Sequence, residues 1–285
     1  MQIGEVIRQA AQSIQNKLRL ELSEAKHEAN LLCQHALNVN RAWLISHESD
    51  ALEGNHHAAF EALVQRRLEG EPIAYILGSR EFYGLPLKTT PATLIPRPDT
   101  ETLVETALAK IPKSASLNIL DLGTGSGAVA LAIASQRPQA KVIAIDASID
   151  ALKVAAENTQ SLKLSNVRLI QSNWFSALAL DKEAEKFDVI VSNPPYIAQD
   201  DAHLQQGDLR FEPISALASG VDGLDDIRQI IQDAPHYLKP DGWLMLEHGY
   251  DQAEAVAALL SERGFSQIDH AKDIGGILRV TFGAI

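Results

Sequence analysis

A glycine turn set between a short apolar strand and a helix of small residues restricts this chain more than any other feature. Asn118-Ile119-Leu120-Asp121 leads into Leu122-Gly123-Thr124-Gly125-Ser126-Gly127, and a helix begins at Ala128. Glycines in such a turn let a ligand approach the backbone amides closely, and the turn belongs at the carboxyl end of a strand in an open α/β sheet. The remaining sequence keeps the same rhythm. Apolar runs at 118–121, 141–146, 167–170, 187–192, 242–247, 265–269 and 277–282 are interspersed with helical patterns from Ala128 and at 148–160, 226–238 and 250–263. Alternation of this kind predicts a mostly parallel, seven-stranded sheet covered by helices on both faces. The last two runs leave no room for a helical crossover, so they are expected to pair antiparallel at one end of the sheet.

Residues 1–78 have a different character: apolar positions recur at helical spacing, as in Glu28-Ala29-Asn30-Leu31-Leu32-Cys33-Gln34-His35-Ala36-Leu37, which predicts a small helical bundle. Residues 79–95, with Gly84 and Pro86 between short apolar runs, read as a hairpin linker, and residues 96–285 as the second domain. Pro96-Arg97-Pro98-Asp99 keeps the chain extended until Asp99 or Thr100 caps a helix running to about Lys110. At 285 residues and 46% hydrophobic, the chain can bury a core in each domain. A net charge of −12 disfavours a long phosphate-binding footprint, and residues 1–85 hold 8 basic against 11 acidic side chains, so the first domain is no basic arm. The single Cys33 excludes an internal disulfide and reads as a buried thiol. No basic n-region with an apolar h-region opens the chain, and no apolar run approaches a membrane span, so a soluble cytoplasmic protein is expected.

The second strand ends in Asp146, roughly 20 residues beyond the turn, where a carboxylate accepts hydrogen bonds from both hydroxyls of a ribose. An adenosine-containing ligand is therefore expected. Gly125, Gly127 and Ala130 also satisfy the looser dinucleotide pattern G-x-G-x-x-A. Asp121 favours S-adenosylmethionine, whose methionine portion is cationic, over a dinucleotide whose pyrophosphate it would repel.

The fourth strand ends in Asn193-Pro194-Pro195-Tyr196. Consecutive prolines stiffen this loop and remove two backbone donors, holding the Pro194 carbonyl outward as an acceptor. A carboxamide or aromatic amine nitrogen is a poor nucleophile because its lone pair is delocalised. Accepting both of its N–H bonds, with the Asn193 side-chain oxygen and the Pro194 carbonyl, orients that nitrogen and favours its change toward tetrahedral geometry. Tyr196 is expected to stack on the flat group. No H-E-x-x-H, G-x-S-x-G or G-x-x-x-x-G-K-[ST] is present. His56-His57 reads as a solvated loop and Glu247-His248 as a strand end, without further ligands at metal-binding spacing.

Residues 121–127, Asp146, Asn193-Pro194-Pro195-Tyr196 and Pro96-Arg97-Pro98-Asp99-Thr100-Glu101 together resemble the HemK/PrmC family of protein-(glutamine-N5) methyltransferases. The likeness spans essentially the whole chain, including Phe82-Tyr83-Gly84 and Gln206-Gly207-Asp208-Leu209-Arg210-Phe211-Glu212-Pro213. It implies a Rossmann-like, seven-stranded class I methyltransferase domain behind a helical substrate-recognition domain. It further implies S-adenosyl-L-methionine held by Asp121, Gly123, Thr124, Gly125, Ser126, Gly127, Asp146, Trp174 and Asn193, and a substrate amide gripped by Asn193, Pro194, Pro195 and Tyr196, with Asn193, Pro194 and Tyr196 carrying the chemistry and no metal. The implied substrate is the glutamine of the Gly-Gly-Gln motif in class I peptide chain release factors. Asn173 departs from the Asp more usual there, and the turn at Ile274-Gly275-Gly276-Ile277 is less polar than the family's. From the residues alone, Trp174 serves an adenine face or the core, and Arg97 binds a substrate backbone or pairs with an acidic neighbour. An adenine-N6 methyltransferase acting on DNA or RNA presents the same planar NH₂ problem, and a nicotinamide oxidoreductase or an idle adenosine-binding module shares the sheet.

Overall fold

The computed structural model of the chain describes residues 1–178 and 186–285. It divides into two compact units, Met1–Gly78 with Gln205–Phe211, and Ser79–Leu204 with Glu212–Ile285. The sequence division therefore differs from the observed one at Gln205–Phe211, which joins the helical unit. The hairpin read as a linker belongs to the second unit, because Phe82 and Leu87 are buried in one of its cores.

The first unit contains helices α1 (Ile3–Leu18), α2 (Leu22–Leu37), α3 (Arg41–Ser46), α4 (Gly54–Leu68) and α5 (Ile73–Leu77). The α1 stripe Ile3, Val6, Ile7, Ala10, Ala11 and Ile14 follows the helical repeat and is buried with Ala25, Ala29, Leu32, Cys33 and Phe60. Small residues on α2 allow close helix approach, and burial pushes the Cys33 thiol up to about 11, as suits an inert core cysteine. His56 and His57 lie on α4 rather than in a loop; α4 begins at Gly54. One charged cluster is buried here: Arg67 donates to both carboxylate oxygens of Glu28 at 2.8 and 3.0 Å, and to Asp208 Oδ1 at 3.2 Å. That bond ties Gln205–Phe211 to the helical unit, Asp208 reaching the edge of the guanidinium that Glu28 already pairs.

The second unit opens with the hairpin β1 (Ser79–Phe82) and β2 (Leu85–Lys88). A 3-10 turn at Pro98–Thr100 precedes α6 (Glu101–Lys110), and Thr100 makes no side-chain cap bond. There follow β3 (Asn118–Leu122), α7 (Ala128–Gln136), β4 (Lys141–Asp146), α8 (Ile149–Ser161), β5 (Val167–Gln171), β6 (Phe187–Ser192), α9 (Asp225–Asp233), β7 (Leu238–Glu247), α10 (Ala253–Glu262), β8 (Ser266–Lys272) and β9 (Leu278–Ala284). The helix expected over 226–238 stops early and ends in a 3-10 turn at Ala234–His236, because Pro235 supplies no amide hydrogen.

The sheet has seven strands in the order β5-β4-β3-β6-β7-β9-β8, parallel from β5 to β7 and antiparallel at β7–β9 and β8–β9. The antiparallel pair is present as expected, with the last strand inserted between β7 and β8. Alternate strand residues feed two cores. Ile119, Val142, Ala144, Val189 and Val191 meet α6 and α7 on one face. Leu120, Leu122, Ile143, Ile145 and Ile190 meet α9 and α10 on the other. Central strands buried on both faces explain why they read as unbroken apolar runs. No described helix is long and apolar enough to cross a membrane.

Removing one member of the buried cluster leaves an uncompensated charge. Arg67→Met is expected to lower stability by about 3–5 kcal/mol in denaturant unfolding, while the double variant Arg67→Met/Glu28→Leu recovers much of that loss. A single substitution costing no more than the double would show that the cluster acts through packing alone.

Candidate active site

The carboxyl ends of β3, β4, β5 and β6 open on one cavity of about 290 Å³. Its lining includes Asp121, Gly123, Thr124, Gly125, Ser126, Asp146, Trp174, Asn193 and Pro195 of the residues expected from sequence, together with Asn173. Gly127, Pro194 and Tyr196 do not line it. Gly127 instead shapes the backbone, opening α7 at φ 89°, and a Cβ there would lie 2.9 Å from Leu131 Cδ1.

Asp121 sits under the turn. Its Oδ2 accepts the Thr124 hydroxyl at 2.6 Å and the Ala130 amide at 3.2 Å, which ties the end of β3 to the first turn of α7. The carboxyl is 1% exposed, and burial pushes it up to about 7 against the opposing pull of those two donors. Asp146 uses Oδ2 to accept the Gly125 amide and Oδ1 to accept the Ser148 amide, each at 2.8 Å. These bonds hold the two βα turns together and leave each oxygen a further lone pair. Burial raises Asp146 as well, offset by the Ser148 and Gly125 amides.

The Trp174 ring stands at the cavity and against the core on the α9 side at once. Its edge lies 3.4 Å from where a Gly123 Cβ would stand, and its indole N–H donates to Asp226 Oδ1 at 3.2 Å. Asp226 itself lines the cavity and was not singled out from sequence; an acidic residue in the first turn of α9 gives no separate signal.

Around the Asn-Pro-Pro-Tyr loop the structure resolves one alternative and corrects two expectations. Arg97 pairs with Glu212, whose second oxygen accepts the Ile95 amide at 3.0 Å, and this pair fixes the Pro96-Arg97-Pro98 segment that walls the cavity. Asp99 pairs with Arg279 at 3.2 Å, and Thr100 accepts a bond from Asn193 Nδ2 at 3.2 Å, so neither serves as the helix cap read from sequence. Tyr196 is turned from the cavity toward Glu247, its hydroxyl donating to Oε1 over a long 3.4 Å. Burial, then the Glu247 charge, raises the phenol. The Tyr196 carbonyl accepts the Gln252 side-chain amide at 3.0 Å.

Glu247 is the clearest residue that sequence reasoning passed over. It is not merely a strand end: it is 1% exposed, its Oε1 accepts the Tyr196 hydroxyl, and burial pushes it up to about 7. No local signal marks it: Ser192 pairs with Leu246 in parallel register, and only that pairing sets Asn193 and Glu247 level at the sheet edge. Among the described residues no group of three His, Cys, Asp or Glu side chains is placed to hold a metal ion.

This arrangement offers a concave site with acidic acceptors at two βα turns, an aromatic wall, and a stiff acceptor loop beside them. Comparison with known proteins agrees with it. Residues 113–278 match a family model described as a methyltransferase domain, and residues 5–78 one described as the PrmC N-terminal domain. The chain is 50% identical over 256 residues to the release factor glutamine methyltransferase of Bordetella pertussis, covering 90% of this chain and 93% of that one. Its identity to the enzyme of the same name from Escherichia coli K12 is 46% over 266 residues, covering 93% and 94%. Among solved structures, a methyltransferase from Pyrococcus furiosus aligns with a TM-score of 0.53 at 20% identity over 77% of this chain and 96% of that one, a likeness of fold. With identity of this order running through both units, the chain belongs to the family of release factor glutamine methyltransferases.

Proposed function

We propose that this enzyme methylates the side-chain amide nitrogen of a glutamine, the one in the Gly-Gly-Gln motif of class I peptide chain release factors, using S-adenosyl-L-methionine. The observation that carries the reading is the meeting of Asp146, Trp174 and the glycine turn with Asn193 and Pro195 around one cavity. The donor set fits the cofactor: the free lone pairs of Asp146 suit a ribose diol, the Trp174 ring an adenine, and the buried Asp121 carboxylate a cationic methionine portion. Bound there, the cofactor supplies a methyl group on a sulfonium sulfur.

The chain's own residues then address the weak nucleophile. With Nδ2 of Asn193 committed to Thr100, Oδ1 is the atom offered to a substrate N–H. The Pro194 carbonyl, in a loop stiffened by two prolines, is assigned to the second N–H. Bonds to both hydrogens orient the nitrogen, and such positioning supplies several kcal/mol, up to roughly 10. Tyr196, whose hydroxyl faces Glu247 and whose carbonyl accepts the Gln252 side-chain amide, is assigned to hold the loop in place. The first unit, with no excess of basic residues, is assigned to recognition of the release factor rather than of nucleic acid, and the enzyme to the cytoplasm, where its substrate works.

Labelled methyl from S-adenosylmethionine is expected to appear on a purified release factor and to be absent when the motif glutamine is changed to alanine. Label that ignores this glutamine, or that enters only nucleic acid, would contradict the assignment. Asn193→Ala is expected to fold normally and to lower kcat by about 10² or more, as loss of a preorganised acceptor does; near-parental turnover would remove Asn193 from the mechanism.

Cofactor affinity should follow the ionisation of Asp121. A cationic ligand favours the charged carboxylate, so affinity rises with pH through about 7 and binding releases a proton below it. Calorimetry is expected to give about tenfold tighter binding at pH 8 than at pH 6, a dependence that Asp121→Asn abolishes. A flat profile in the parent enzyme would show that Asp121 does not face the cofactor's charge.

A further inference from the structure

The Asn-Pro-Pro-Tyr loop lacks some of the groups by which a loop is usually tied down. Pro194 and Pro195 carry no amide hydrogen, so the loop must be held through its carbonyls and its side chains. Its main chain is held at the Tyr196 carbonyl, which accepts Nε2 of Gln252 at 3.0 Å. On the other side of the same peptide plane, the Ile197 amide donates to the Leu217 carbonyl at 2.9 Å. The plane is therefore fixed from both edges. Because the ring locks φ at Pro195, only Pro195 ψ and Tyr196 φ and ψ lie between this plane and the Pro194 carbonyl.

Gln252 stands at the start of α10, where a side chain can turn forward to cap the helix; it makes no such bond and turns back instead. Its Oε1 accepts the Gly249 amide at 2.8 Å, and Nε2 also reaches the Asp222 carbonyl at 3.3 Å. Two carbonyls at the nitrogen and an N–H at the oxygen leave one orientation for the amide, since the reverse would set its oxygen against both carbonyls. Gly223 completes the corner. At φ 78° it lets the Tyr196 carbonyl come so close that a Cβ would stand 2.2 Å from that oxygen and 2.8 Å from Gln252 Nε2. Neither Gln252 nor Gly223 lines the cavity; what they touch is the loop.

We propose that Gln252 is a positioning residue for methyl transfer. Through the Tyr196 carbonyl, in a corner that Gly223 keeps open, it sets the angle at which the Pro194 carbonyl and the Asn193 side chain meet the substrate nitrogen. The inference rests on the reading of this loop as the acceptor of the glutamine N–H bonds. A loop released at Tyr196 loses reaction geometry before it loses the cofactor. Asp121 and Asp146 are braced by Thr124, Ala130, Gly125 and Ser148, with no bond to Gln252. Misplacement of a reacting group by about 1 Å costs up to roughly 10²-fold in rate.

Two substitutions separate the donor from the bulk of the side chain. Gln252→Met keeps the length and removes every hydrogen bond, whereas Gln252→Glu keeps an acceptor for the Gly249 amide and loses both donors. Each is expected to lower kcat about tenfold or more at saturating release factor, with S-adenosylmethionine affinity changed by less than about threefold. Gly223→Ala, which pushes the Tyr196 carbonyl away, is expected to give the same split, and its combination with Gln252→Met to cost less than the product of the two. In ligand-free protein labelled with carbon-13 and nitrogen-15, the Tyr196 carbonyl signal is expected to shift in both Gln252 variants. Parental kcat in Gln252→Glu overturns the positioning role, as does a loss of kcat matched by an equal loss of cofactor affinity. Should Gln252→Met fail to fold, Gln252→Glu decides alone. An unmoved Tyr196 carbonyl overturns the role whatever the substrate. A parent enzyme that leaves the glutamine unlabelled, with the carbonyl shift present, instead overturns the reading on which the inference rests.

Discussion

Parallel pairing of β4, β3, β6 and β7 is the constraint from which the candidate site follows. Strands in that register end at one edge of the sheet, so residues far apart in sequence arrive side by side: Asp121 and the glycine turn after β3, Asp146 after β4, Asn193 after β6 and Glu247 at the end of β7. Burial on both faces keeps the central strands apolar, and the polar residues named above gather where they end. The hydrogen bond from the Gly125 amide to Asp146 then joins the neighbouring turns, while the Ala130 amide bond to Asp121 braces the first of them from within.

That edge holds carboxylates at a cost. Asp121 and Glu247 are both almost fully buried, and burial lifts each to about 7, far above an ordinary carboxylate. A group whose folded pKa exceeds its unfolded one withdraws stability as pH rises from the unfolded value through the folded one. Each carboxyl therefore destabilises the ionised fold near neutrality. Both stand at the carboxyl edge: Asp121 under the glycine turn, and Glu247 level with Asn193. Perturbed carboxyls of this kind cluster at functional sites because a preorganised charge, poised before the ligand arrives, is what the chemistry requires.

Much of this was legible in the chain. Alternating apolar runs gave the seven strands, and the glycines at 123 and 125 followed by Asp146 marked the edge on which the cavity opens, because local spacing carries that information. What escaped was contact between distant segments. Thr100 looked like a helix cap, yet its hydroxyl is engaged by Asn193 from the loop after β6. Glu247 looked like a strand terminus, and only the parallel register of β6 with β7 reveals its neighbours. Tyr196 was expected to face the substrate, but a phenol beside a buried carboxyl turns toward it. The assignment of Gln205–Phe211 to the helical unit depended on Arg67, a basic residue with no local sign that it would be buried.

The central claim is that a planar amide nitrogen is held at the cavity by the Asn193 side-chain oxygen, with the Pro194 carbonyl, between the cavity-lining Asn193 and Pro195, taking its second hydrogen and the cofactor alongside. The most direct measurement is a crystal structure of the enzyme with S-adenosylhomocysteine and a peptide carrying the Gly-Gly-Gln sequence. The account predicts the glutamine amide nitrogen at about 3 Å from Asn193 Oδ1 and from the Pro194 oxygen, with the nucleoside against Asp146 and Trp174. A glutamine bound away from Asn193, or an Asn193 that presents Nδ2 to it, would contradict the account.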